Sequence, residues 1–117
     1  MQKNSVNKVF LIGHLGGDPE ARYTKTGRPI ASFSVATNES WSQQGGKTIN
    51  HTEWHSIVAW DKLAEFSQEY LYKGQLISVE GRIHTRQWEN QDKSIVKTTE
   101  IIAANITPLE WKKEKKA

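Results

Sequence analysis

The chain has 117 residues, no cysteine and a formal net charge of +3, of which +2 falls in residues 109–117 (four Lys, two Glu). That length suits one domain, and the missing cysteines exclude a disulfide framework and any thiolate metal site. Uninterrupted apolar runs reach only four residues, as in 9–12 (VFLI) and 101–104 (IIAA), against the roughly 20 that a membrane-spanning helix needs, and no apolar leader opens the chain, so a soluble intracellular domain without membrane contact is expected.

Residues 6–12 (VNKVFLI) read as a first strand, closed by a turn region with Gly13, Gly16, Gly17 and Pro19. Residues 26–29 (TGRP) mark a second turn, after which Ala31, Phe33 and Val35 alternate with Ser32 and Ser34, the period of a half-buried strand. Residues 39–50 (ESWSQQGGKTIN) are polar, contain Gly45 and Gly46, and read as a long flexible loop of the kind that often carries function. A third strand covers 52–60. Asp61 is placed to cap a helix in which Leu63, Phe66, Tyr70 and Leu71 recur at helical spacing, with Lys73 and Gly74 at its end. A fourth strand over 76–86 puts Ile77, Val79 and Ile83 on one face, 87–94 is a hairpin loop, and 95–107 is a fifth strand. Residues 108–117 begin with a proline and finish in lysines, and are expected to form a short, basic, disordered tail outside a domain of residues 1–107.

Ile and Val outnumber Leu 16 to 6, which favours strands. The expected fold is therefore all-β with one short helix: a five-stranded Greek-key barrel of the OB type, with the helix between strands three and four. Strand count alone suits an SH3-like barrel as well; the position of the helix separates the two.

Five tryptophans, at 41, 54, 60, 88 and 111, are many for so polar a chain. Alternation places Trp54, Ser56, Val58 and Trp60 on one face of the third strand, and Glu53, His55, Ile57 and Ala59 on the other. On the fourth strand Glu80, Arg82, His84 and Arg86 share a face that reaches Trp88. Flat rings interleaved with cations are what single-stranded nucleic acid requires, because bases stack on the rings while Arg and Lys neutralise the phosphates. Trp41, in the polar loop, is placed to fold over a bound strand. Trp111, among Lys and Glu, has no assigned role. Burial of the tryptophans in the core competes with this reading, but Ile57, Ala59, Ile77, Val79 and Ile83 already supply core-like faces.

His51 and His55 mimic a metal pair. On a strand, however, positions four apart are separated by about 13 Å, too far for two ligands of one zinc ion. There is no Gly-rich phosphate loop, nucleophile elbow or dense carboxylate pair, so neither a metal, a cofactor nor an enzymatic activity is expected.

The strings VNKVFLIGHLGGDPEARY, FSVATNESW, TEWHSIVAWDKLAEFSQEYLYKG and VEGRIHTRQW, followed by TTEI, resemble the bacterial-type single-stranded-DNA-binding proteins of replication, recombination and repair, in order and over about residues 5–106. The resemblance implies an OB-fold subunit of a homotetramer, cytoplasmic and nucleoid-associated. It carries the family's stacking aromatics onto Trp41, Trp54 and Trp88, its phenylalanine position onto Trp60, and its subunit-interface histidine onto His55. Lys8, Lys62, Lys73, Arg82 and Arg86 fall where phosphate contacts are implied. Ser56 departs from the basic residue that relatives often place between the two strand-three aromatics. Relatives also continue into a linker and an acidic, partner-recruiting tip where this chain reads WKKEKKA, so the usual protein partners are not expected to be recruited. A primosome-type OB protein, an OB protein–protein scaffold, and an OB nuclease or RNA-binding module stand as alternatives.

Overall fold

A computed structural model of the chain describes residues 3–111. The elements in order are β1 (Val9–Leu15), β2 (Glu20–Tyr23), β3 (Pro29–Ser42), β4 (Thr48–Trp60), α1 (Lys62–Tyr70), β5 (Leu76–Glu89) and β6 (Ile95–Pro108). The sheet runs β1-β5-β6-β4-β3-β2, and β1 also meets β3 through His14↔Ala36 and Leu15↔Val35. That last pairing closes a five-stranded barrel, with β2 left outside it on β3. β4 and β6 are parallel at Ile57↔Ile101 and Val58↔Ile102, while the other pairings are antiparallel. With α1 between the third and fourth barrel strands, this is the OB barrel that the element order implied.

Period-2 alternation fills the barrel. Ala31, Phe33 and Val35 of β3, Ile57 and Ala59 of β4, Ile77 and Val79 of β5, and Ile101 and Ala103 of β6 are buried in one cluster with Ala64 and Leu71. In β6 the pairing steps from Glu80↔Asn105 to Gly81↔Ala103, so Ala104 is an extra residue. This bulge lets the inward positions pass from Ala103 to Ile106 without turning a polar residue into the core.

Residues 39–50 are not a flexible loop. β3 and β4 stay in register as far as Ser42↔Thr48, and the turn is closed by the Gln43 N–H on the Lys47 carbonyl at 2.7 Å. Gly45 and Gly46, at φ 94° and 82°, supply the backbone that this turn needs. The β5–β6 hairpin likewise extends to Glu89↔Ile95 and turns over 90–94. Beyond the barrel neither face of these ribbons is buried, so no hydrophobic alternation marks them as strands. β2 escaped notice for the same reason, all four of its residues being exposed.

Three further expectations are corrected. Asp61 makes no side-chain cap hydrogen bond; it holds φ 56°, ψ −125° and directs its carboxylate to Arg28. The helix stops at Tyr70, before the Lys73 and Gly74 expected to end it. Ile83 is 49% exposed instead of buried, because β1 pairs with β5 only as far as Val9↔Gly81. The Asn7 amide continues that edge, accepting from the Ile83 N–H at 2.9 Å and donating to its carbonyl at 2.8 Å.

The end of the described chain is tied down. The Leu109 N–H donates to the Leu76 carbonyl (2.8 Å), the Gln75 amide donates to the Glu110 carbonyl (2.7 Å), and the Glu110 carboxylate accepts from the Leu76 N–H (2.9 Å). Residues 112–117, most of the expected basic tail and its bearing on partner recruitment, lie outside the described residues.

Candidate nucleic-acid interface

The site grows from the outward positions of β4. With Ile57 and Ala59 turned into the core, Trp54, Ser56, Val58 and Trp60 face outward. Pairing with β3 sets Ala36, Ser34 and Ser32 beside Trp54, Ser56 and Val58. Pairing of β5 with β6 matches His84 with Glu100, Arg86 with Thr98 and Trp88 with Val96. The outer surface thus carries Trp54 and Trp60 on one strand, and Arg82, His84, Arg86 and Trp88 on another. Between this sheet and the loop after β1 lies a cleft of about 420 Å³, whose lining includes Gly16, Arg22, Ser34, Ser56, Arg86 and Glu100.

Trp54 is 58% exposed and rests against Gly16, where a β-carbon would lie 2.6 Å from both the indole ring and the Ser34 hydroxyl. The glycine leaves room for the ring edge while the ring stays accessible. Arg86 is held from below by Glu100, Nε to Oε1 at 3.0 Å, and its guanidinium lies 5.5 Å from the centre of the Trp88 ring. Glu100 is buried, and a buried carboxylate needs such a partner. At the far end of β4, the Arg28 guanidinium covers Trp60 at 4.6 Å and grips both oxygens of Asp61. The Arg28 hydrogen bonds hold the Asp61 carboxyl below the usual carboxylate range, helped by the arginine charge.

Of the anticipated residues, Trp54, Arg82, Arg86 and Trp88 fall on this surface, and Trp60 joins it half-buried under Arg28. Lys62 opens α1 two residues after Trp60. Trp41 is exposed, but sits on the β3–β4 ribbon opposite Ile49. Counting the register from Ala36↔Trp54 places Trp41 on the opposite ribbon face from Trp54. Lys8 is paired with Glu80 at 2.9 Å, and Lys73 lies in the turn after α1, where its N–H donates to Asp18 at 2.8 Å; neither lines the clefts beside Trp54.

His55 turns to the other face. Its Nε2 is 2.9 Å from the Thr37 hydroxyl, although it still lines, with Trp54, Ile83, Thr99 and Ile101, the groove that runs beside Trp54. On β1, opposite Glu80 and Ser78 of β5, Phe10 and Ile12 point outward at 62% and 51% exposure. Among the described residues no group of three or more His, Cys, Asp or Glu is placed to hold a metal ion.

Two arginines were not anticipated. Arg22 donates to the Ser32 hydroxyl at 3.1 Å from β2, and Arg28 follows the second turn. Neither sits in a periodic segment; the only signal was a positive charge beside a turn. Trp111, unassigned in the sequence, stands edge-on to Tyr70 at 6.0 Å.

A closed five-stranded barrel, whose outer sheet here carries exposed indoles among guanidinium groups, defines an OB-fold protein. The single-strand binding protein family matches residues 6–109, and the chain belongs to that family. It is 48% identical over 101 residues to the single-stranded DNA-binding protein of Neisseria meningitidis serogroup A, covering 86% of this chain and 58% of the relative. It is 44% identical over 105 residues to single-stranded DNA-binding protein 1 of Chlorobaculum tepidum, covering 89% and 65%. The chain thus spans less than two thirds of these relatives. Among solved structures, the Plasmodium falciparum SSB in complex with ssDNA superposes with a TM-score of 0.82 at 34% identity, over 94% of this chain and 100% of that one. A deletion mutant of the Thermus aquaticus single-stranded DNA binding protein gives 0.78 at 35%, over 90% and 51%.

Proposed function

We propose that this chain is a non-enzymatic binder of single-stranded DNA, acting without sequence preference in replication, recombination and repair. Bases stack on Trp41, Trp54, Trp60 and Trp88, while Lys62, Lys73, Arg82 and Arg86, and Lys8 once released from Glu80, neutralise phosphates. The observation that carries this reading is the outer sheet itself, where Trp54 is 58% and Trp88 43% exposed, Arg86 stands 5.5 Å from the Trp88 ring centre, and Glu100, which holds Arg86, lines the groove beside Trp54. An indole left in water beside a fixed cation offers a face to any base, and stacking does not discriminate among bases.

The chain acts as a homotetramer in the cytoplasm, associated with the nucleoid. Supporting assembly, β1 pairs along residues 9–13 with β5 only and exposes Phe10 and Ile12 beside that open edge, the combination that invites a second chain. His55 sits at or near a subunit contact, on the face away from Trp54. Among the described residues no helix is long and apolar enough to cross a membrane.

Gel mobility shift with oligo-dT and with a duplex of equal length tests the reading. Retention of the oligo-dT at protein concentrations that leave the duplex free is expected; equal retention of both, or of neither, contradicts it.

A further inference from the structure

Arg28 is engaged twice. Its guanidinium lies over Trp60, 4.6 Å from the ring centre, and its fork holds Asp61 through Nε to Oδ1 at 3.1 Å and Nη2 to Oδ2 at 2.9 Å. The pair stands in water, the two side chains being 55% and 53% exposed. Asp61 holds its carboxylate there from φ 56°, ψ −125°, a conformation that favours glycine. Backbone strain of this kind persists where the surroundings over-determine it, and it gathers at ligand clamps. Here the strained residue aims a carboxylate, the carboxylate aims a guanidinium, and the guanidinium covers an aromatic face.

A phosphodiester presents to an arginine fork what a carboxylate does: two oxygens and one negative charge. We propose that Arg28, Asp61 and Trp60 form an exchange site, in which a backbone phosphate of single-stranded DNA displaces Asp61 from the Arg28 fork and the uncovered Trp60 ring accepts a base. This rests on the single-stranded-DNA reading and extends it with a contact residue, Arg28, and a competing one, Asp61. Phosphate wins the exchange because its arrival releases condensed counterions and frees a stacking surface, while the displaced carboxylate is already at the surface and rehydrates. The site lies six positions along β4 from Trp54, roughly 20 Å at strand rise, and so lengthens the aromatic track toward α1.

The test compares salt-dependent affinity for oligo-dT among the wild-type chain, Arg28→Ala, Asp61→Asn and Glu65→Gln, each quantified on folded protein by circular dichroism. Glu65 is an exposed acid in the first turn of α1 and serves as the charge control. Asp61→Asn is expected to bind several-fold tighter than wild type. Arg28→Ala should bind about three- to tenfold weaker, with a log–log salt slope shallower by about 0.7, the share of one single-strand phosphate contact. Glu65→Gln should stay close to wild type. In Arg-labelled protein, the Arg28 Nε–H resonance should move on adding oligo-dT. If the wild type binds but Arg28→Ala and Asp61→Asn match it, or Glu65→Gln equals Asp61→Asn, or the Arg28 resonance stays in place at saturation, the exchange is overturned and the DNA-binding reading survives. If the wild type fails to bind oligo-dT, both fall.

Discussion

Gly16 and Trp54 meet so closely that a methyl group decides where the indole lies. In a Gly16→Ala protein the new carbon would sit 2.6 Å from the ring, and the exposed ring will move more readily than the loop. Affinity for single strands should fall while the melting temperature changes little, since the clash falls on the ends of the Trp54 and Ser34 side chains, which can swing aside; parallel thermal melts and oligo-dT titrations check this. Trp54→Ala removes the stacking face altogether. It should weaken binding by about 1–3 kcal/mol, a range established partly on proteins of this family, again with a nearly unchanged melting temperature. A large loss of folding stability with unaltered affinity would make Trp54 a core residue. At this scale the sequence was most readable where alternation survives: Trp54, Arg82, Arg86 and Trp88 fell where period two put them. Arg28 was unreadable because its role depends on a partner 33 positions away, brought near by the pairing of Ile30 with Trp60.

Elements that lie against the core were legible, and elements that leave it were not. The alternation of Ala31, Phe33 and Val35 marked β3 inside the barrel, but its continuation as an arm to Ser42 has no inward face and so no pattern. Asp61 shows how a local rule can mislead. An aspartate before a helix ordinarily caps it, yet this one gives its carboxylate to Arg28 and holds a glycine-like backbone. Exposed ion pairs contribute little, whereas strain at such a φ, ψ is a standing cost. Asp61→Gly should therefore melt no lower than wild type despite losing the pair, and a clearly lower melting temperature would contradict this balance. The pH dependence has a definite sign. Arg28 depresses the Asp61 pKa, so the pair's contribution is complete above the ordinary carboxylate range and disappears as pH falls through the lowered value. Asp61→Gly should lose less stability than wild type across that acid window, as thermal melts against pH will show.

For the whole molecule, the proposed assembly and the proposed binding draw on different features: the open edge of β1 with Phe10 and Ile12, and the outer sheet with its tryptophans. Ile12→Glu places a charge on that edge and should lower the association state, and His55→Lys should do the same on dilution. Light scattering checks both, and a wild-type monomer at micromolar concentration would refute the assembly. The closed topology was legible from element order alone; the open edge was not, because it depends on how far β1 runs beside β5. On the binding surface, stacking and charge are of similar size. If Lys8, Lys62, Lys73, Arg82 and Arg86 each neutralise a phosphate, the log–log salt slope for single strands is about −3.5, and the Arg28 exchange takes it to about −4.2. Fourfold more salt then costs about 2.1 to 2.5 log units, or about 2.9 to 3.4 kcal/mol, comparable to one or two stacked bases. Tryptophan fluorescence titrated with oligo-dT and with duplex DNA at two salt concentrations measures both terms together. Strong quenching by oligo-dT, much weaker binding of duplex and a slope of about −3.5 to −4.2 are predicted; absent quenching, or a slope near zero, would contradict the account.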